Sequence, residues 1–112
     1  MARSDSRAAV ARVAPLFAAL GDETRLRIVR RLSSRGPLSI ARLTDEADVT
    51  RQAVTKHLRV LADAGLVKGT RSGRTHVFEL EHARLEQARR HLDAISAEWD
   101  RAIERLRAVV ER

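Results

Sequence analysis

Cysteine is absent from this chain of 112 residues, which excludes disulfides, thiolate metal centres and thiol redox switches. Such a composition suits a reducing cytoplasm, the expected location. Aromatic residues make up only 3%, so a core must be assembled from Leu, Val, Ile and Ala, as in a helical protein rather than a sandwich. Five glycines leave little material for a loop that cradles a cofactor. Paired carboxylates in a pocket, a glycine-rich phosphate loop and a nucleophile with its base are also missing, so neither an enzyme nor a cofactor is expected. No apolar run is long enough to span a bilayer. The opening stretch "MARSDSRAAVARVAPLFAAL" has early arginines followed by apolar residues, as a signal peptide would. Asp5 lies in its basic part and Arg12 interrupts its apolar part, so it is read instead as leading into an amphipathic helix.

Charge is plentiful, at 33% of residues with a net +7, and its location matters more than its sum. Residues 50–76 contain Arg51, Lys56, Arg59, Lys68, Arg71 and Arg74 against Asp63 alone, whereas cations and acids balance over 81–112. A basic block inside a folded segment points to a phosphate backbone as partner; a solvated surface is the plainer alternative.

The length suits one domain with one core. Over 7–20, Val10, Val13, Phe17 and Leu20 recur at helical period, with Pro15 expected to kink the helix or begin its second part. Gly21 ends this helix and Asp22 can cap the next, "DETRLRIVRRL", with Leu26, Val29 and Leu32 inward. "SSRGP" at 33–37 reads as a loop. A short helix follows from Ser39 as cap, through Ile40, Leu43 and Ala47. After a turn, Thr50 caps a helix that Gly65 closes. Its buried line is Val54, Leu58 and Leu61, flanked by Ala53, His57 and Val60, with Arg51, Gln52, Thr55, Lys56 and Arg59 on the other side. Two β segments over 66–80 surround "RSGR", with Gly73 at the turn position that needs positive φ. The last helix, 83–110, carries Leu85, Ala88, Leu92, Ile95, Trp99, Ala102, Leu106 and Val109, a heptad seam. The order predicts a mainly α protein with a small β-hairpin: a winged helix-turn-helix over 39–80 with long terminal helices.

Three successive blocks, "LFAALGDETRLRIVRRL", "TRQAVTKHLRVLADAGLV" and "RSGRTHVFEL", resemble the ArsR/SmtB family of bacterial winged-helix repressors over about residues 16–80. The resemblance implies a homodimer on a pseudo-palindromic operator, usually near its own promoter, released by an inducer that is often a metal ion. The family's metal sites do not carry over. Its thiolate sensor places a Cys-x-Cys in the third helix, where this chain has "SIARLTDEA". Its zinc site on the last helix aligns with Leu80, His82, Asp93 and Ser96, of which two are apolar or too weak as donors. The chain resembles the family's metal-independent members, and no metal is expected.

The helix capped by Thr50 is placed in the major groove, its N-terminal half reaching base edges. Gln52 can pair bidentately with adenine, and Arg51 or Arg59 with guanine, while Thr55 and Lys56 can reach phosphates or bases. Arg71 and Arg74 flank the hairpin tip, from which a wing reaches backbone or minor groove. Lys68, Ser39 and Thr44 are lesser candidates for phosphate. His57, beside the buried line, reads as a hydrogen-bonded structural histidine rather than a ligand. His76, His82 and His91 are scattered.

A domain this small cannot cover a helix of nearly thirty residues. The first and last helices are therefore expected to form a dimer interface, with Val13, Phe17, Leu92, Ile95, Trp99 and Leu106 in it. Dimerisation would place two recognition helices about 34 Å apart, matching successive major grooves. The leading expectation is a homodimeric, sequence-specific repressor of its own or a neighbouring operon. The alternative is a winged-helix module whose seam binds a different protein, with only non-specific affinity for DNA.

Overall fold

Each helix of the central trio begins where a side chain satisfies one of its free N–H groups, which stabilises a helix by about 1 kcal/mol per cap. Asp22 accepts from the Arg25 N–H, Ser39 from that of Arg42 and Thr50 from that of Ala53. The computed structural model describes residues 2–111, with side chains from residue 6 to 111. Its elements are α1 (Ala2–Leu20), α2 (Glu23–Arg35), β1 (Leu38–Ser39), α3 (Ile40–Asp45), α4 (Arg51–Asp63), β2 (Val67–Ser72), β3 (Thr75–Leu80) and α5 (His82–Val110).

The strands form an antiparallel sheet in the order β1-β3-β2. β2 and β3 make the expected hairpin, pairing from Val67↔Leu80 to Ser72↔Thr75 across Gly73 and Arg74. Gly73 has φ +61°, and among the described residues only glycines have positive φ, the pattern of a two-residue turn with glycine first. β1 was not anticipated. It has two residues, Leu38 and Ser39, set against Phe78 and Val77, too short for any periodicity. The expected loop at 33–37 is also shorter, because α2 continues to Arg35 before Gly36 ends it.

One core joins every helix to the sheet. Leu16, Ile28, Leu43, Val54, Leu58, Leu61 and Leu66 are fully buried, and truncating such a leucine to alanine costs about 2–5 kcal/mol. Val54, Leu58 and Leu61 are the expected inner line of α4. Elsewhere the inward face is rotated from expectation. On α1, which starts at Ala2 and runs through Pro15 as one helix, Val13, Leu16 and Ala19 are buried while Val10 is 49% exposed. On α2, Ile28 joins Val29 and Leu32 inside, and Leu26 is 45% exposed. Val60, expected to flank the α4 line, is 41% exposed.

Two arginines tighten the trio. Arg31 of α2 donates to the carbonyls of Arg42 and Leu43 at the end of α3, 2.9 and 3.0 Å away. It also pairs with Glu46 at 2.6 Å, as does Arg35. Their guanidinium groups, the Arg35 hydrogen bond first, hold the Glu46 carboxyl below its usual range. Arg84 of α5 donates to the Ala64 carbonyl at 3.3 Å, satisfying the end of α4.

Beyond this core the molecule is extended, 67 × 30 × 20 Å. Its radius of gyration of 18.5 Å exceeds the roughly 13 Å of a compact chain of this length. The excess comes from α5, whose 29 residues extend about 44 Å at 1.5 Å each. No helix among the described residues is long and apolar enough to cross a membrane.

Candidate nucleic-acid interface

The outward side of α4 is built by the same periodicity that buries Val54, Leu58 and Leu61. Arg51, Gln52, Lys56 and Arg59 are all exposed, and Thr55 is half-buried. The Thr55 hydroxyl donates to the Arg51 carbonyl at 2.9 Å, so its proton is engaged within the helix and its remaining lone pairs face outward. Thr50 is exposed, and its oxygen accepts from the Ala53 N–H at 3.1 Å. The hydroxyl hydrogen is left over for an acceptor such as phosphate.

The hairpin carries a second set of cations. Arg71 and Arg74 are exposed near its tip and Lys68 nearer its base. Arg51 and Arg74, twenty-three positions apart in sequence, line one cleft of about 170 Å³ together with Ser39, Ala41, Thr75 and His76. Helix and wing thus act as two walls of one basic recess.

Among the described residues, none of Arg51, Lys56, Arg59, Lys68, Arg71 and Arg74 makes an ion pair, whereas Arg27, Arg31, Arg35, Arg89, Arg90 and Arg107 do. The concentrated charge is therefore unneutralised. Such a face attracts a polyanion and favours its binding by release of counterions.

Thr75 and His76 were not among the expected contacts, although both line the cleft. His76 lies opposite Arg71 in the hairpin and its ring sits 4.5 Å, centroid to centroid, from that of Phe78. A Cβ on Gly69 would come within 2.7 Å of both the His76 imidazole and the Phe78 ring, so the glycine lets these rings lie across the strand. The only sequence signal was the alternation of His76 and Phe78 on one strand face. Ser39 and Thr44 are engaged locally: Ser39 caps α3 and the Thr44 hydroxyl donates to the Ile40 carbonyl at 2.8 Å.

His57 behaves as a structural histidine. Its Nδ1 lies 3.3 Å from Arg25 Nη1 and 3.8 Å from an Asp22 carboxylate oxygen. The Arg25 N–H, donating to the Asp22 carboxylate, lowers that group below its usual value.

Two of the four positions of the family's zinc site, Leu80 and Ser96, carry an apolar side chain and a weak donor in this chain. Leu80 is buried and apolar. His82 and Asp93 are on α5 eleven residues apart, about 16 Å along the helix axis. Among the described residues, no three His, Asp or Glu side chains cluster as metal ligands would.

The residues expected at a dimer interface divide into two groups. Val13 is buried within its own protomer, and Phe17, partly buried, packs on the core with its ring 6.3 Å from that of His91. Leu92, Ile95, Trp99 and Leu106 are exposed along α5, Leu92 at 51% and Trp99 at 66%.

A helical trio whose last member presents an unneutralised basic face, flanked by a cationic hairpin, defines a winged helix-turn-helix DNA-binding regulator of transcription. Comparison with known proteins agrees. A helix-turn-helix domain family model matches residues 20–70. The HTH-type transcriptional regulator YuzN of Bacillus subtilis is 46% identical over 69 residues, covering 56% of this chain and 75% of that protein. The HTH-type transcriptional regulator Rv2034 of Mycobacterium tuberculosis is 40% identical over 85 residues, covering 76% of each. Among solved structures, an ArsR-like transcriptional regulator from Rhodococcus sp. RHA1 superposes with a TM-score of 0.75 at 38% identity, covering 88% of this chain and 92% of that one. The chain belongs to the ArsR/SmtB family of winged helix-turn-helix transcriptional regulators, and it is not an enzyme.

Proposed function

We propose that the protein works in the cytoplasm as a homodimer that binds a pseudo-palindromic operator and represses its own or a neighbouring operon. The observation that carries this reading is the set of six exposed cations on α4 and the wing with no ion-pair partner among the described residues, two of which, Arg51 and Arg74, line one recess. Arg51, Gln52 and Arg59 reach base edges in the major groove; Thr50, Thr55 and Lys56 hold the helix to the backbone, and Arg71 and Arg74 reach the flanking backbone or minor groove.

The second support is the α5 stripe. Leu92, Ile95, Trp99, Leu106 and Val109 are at least half exposed, and a run of large apolar side chains along one face marks a protein contact. A second copy supplies the same stripe, and a two-fold pairing then presents two α4 helices to one side of a duplex. Repression follows from occupancy of promoter DNA. Leu80 and Ser96, standing where the family's zinc site has ligands, favour regulation without a metal.

Fluorescence anisotropy with DNA from upstream of the protein's own gene, and with a scrambled duplex, tests the reading. At physiological salt the upstream duplex binds with a preference of about 10³-fold or more. Equal, salt-labile affinity for both, from a protein that is monomeric by sedimentation, would support instead a winged-helix module whose seam binds another protein.

A further inference from the structure

The recognition helix must be held at a fixed angle to the helices that pair the protomers, or two half-sites cannot be engaged together. Packing alone holds it incompletely on the α1 side. Between α1 and α4 lies an open groove of about 400 Å³, lined by Pro15, Ala18, Val60, Asp63 and Ala64, with Arg25 also on its wall. Val60 points no bulk into the core there; it is among the exposed large apolar residues.

Arg25 crosses this gap. From the first turn of α2 its Nε donates to the Ala19 carbonyl at 2.6 Å, in the last turn of α1. That carbonyl has no partner further along its helix, so the guanidinium caps α1. Its Nη1 meets His57 Nδ1 of α4 at 3.3 Å. Arginine can only donate, so in this bond Nδ1 is the acceptor, which requires the imidazole tautomer with its proton on Nε2. One side chain thus bonds to the end of α1 and the middle of α4, and its own N–H is fixed by the α2 cap, Asp22. At the C-terminal end of α4, Arg84 of α5 makes a matching link to the Ala64 carbonyl. The recognition helix is tied by one arginine to each helix of the proposed dimer interface.

We propose that Arg25 is a positioning residue for operator binding: acting through His57, it sets the angle of α4 relative to α1 and hence the half-site spacing the dimer reads. The inference rests on the dimeric, two-half-site reading above. An apolar contact can slide at little cost, whereas two directional hydrogen bonds from one planar group cannot.

The test uses the full chain, R25M (which keeps the stem and removes the donors), H57L and H57N, whose amide oxygen retains an acceptor near the Nδ1 position. The probe is a duplex selected from a randomised library by the wild-type protein, re-made with its half-sites moved one or two base pairs together or apart, and as a single half-site. Wild type prefers one spacing. R25M and H57L lose roughly tenfold on that spacing, bind the half-site within about twofold of wild type, and bind the neighbouring spacings almost equally. H57N restores the preference, and R25M with H57L is no worse than either alone. A loss of half-site and full-site affinity in step with a lowered melting temperature would overturn the proposal, since that is what a purely structural role produces. Retained spacing preference in R25M would overturn it too. Absence of any spacing preference in wild type would instead remove the dimeric reading on which the proposal stands.

Discussion

α4 and α5 each leave one face uncovered, and the two faces are chemically opposite. On α4 the exposed set is Arg51, Gln52, Lys56 and Arg59, whose cations have no ion-pair partner among the described residues. On α5 three of the cations pair within the helix, Arg89 with Glu86 and Asp93, Arg90 with Glu86 and Arg107 with Glu104, and acids equal cations in number over residues 81–112. What sets α5 apart is an exposed apolar stripe, Leu92, Ile95, Trp99 and Leu106. Both helices are amphipathic, so periodicity alone does not distinguish their roles. The difference lies in which groups are unsatisfied. Uncompensated charge calls for a polyanion, and uncovered apolar surface calls for another protein surface.

The largest effect should come from the apolar face. Replacing Ile95 and Trp99 together by Asp puts carboxylates into the stripe; the protein is expected to become monomeric by analytical ultracentrifugation with its helical circular dichroism retained. Operator affinity then falls about 100-fold or more, because the second half-site no longer binds intramolecularly. A dimer that persists would show that the stripe is not its interface.

Next come the exposed cations of α4 and the wing. Arg59→Ala is expected to weaken selected-duplex binding by about 5- to 150-fold, the worth of a bidentate base contact, and to affect scrambled DNA far less. Arg74→Ala should weaken both and reduce the slope of log K against log salt by about 0.9. Equal losses at the two sites, read by anisotropy over a salt series, would remove this division of labour. Arg89→Ala supplies the control on the other side of the comparison: its charge is already paired, and affinity should change less than twofold.

A smaller effect concerns how the helix-turn-helix is held together. The Glu46 carboxyl is lowered by Arg35 and Arg31 from the ordinary value of 4.5. A depressed folded-state value means that its stabilisation is present above 4.5 and is lost as pH falls through the folded value. The stability advantage of wild type over Glu46→Gln in urea titrations should therefore be steady near neutral pH and shrink below about pH 4.5. An advantage unchanged down to pH 3 would mean that Glu46 contributes packing rather than charge.

Much of this was legible in the sequence where one local pattern decides the structure. Thr50 as cap, the Val54, Leu58 and Leu61 line, the turn at Gly73 and the heptads of α5 each depend on residues a few positions apart. What escaped depends on distant partners. β1 exists only because β3 lies beside it, with Leu38 against Phe78. The inward faces of α1 and α2 were assigned with the wrong large residues, Val10 and Leu26. Apolar side chains outnumber buried places on both helices, and only tertiary packing selects Leu16 and Ile28. For the interface, the basic side chains were visible as a block, but the closeness of Arg51 and Arg74 required the wing to fold against α3 and α4. The Arg25–His57 contact joins positions 32 apart and has no local signature.

Hydroxyl-radical footprinting of the protein on its selected duplex tests the central claim most directly, that the α4 face binds DNA and the α5 face binds a second copy. Two protected patches on one side of the duplex, centred about 10 base pairs or a whole multiple of a turn apart, are predicted for two recognition helices in successive major grooves. A single patch, or uniform weak protection along the duplex, would contradict the account.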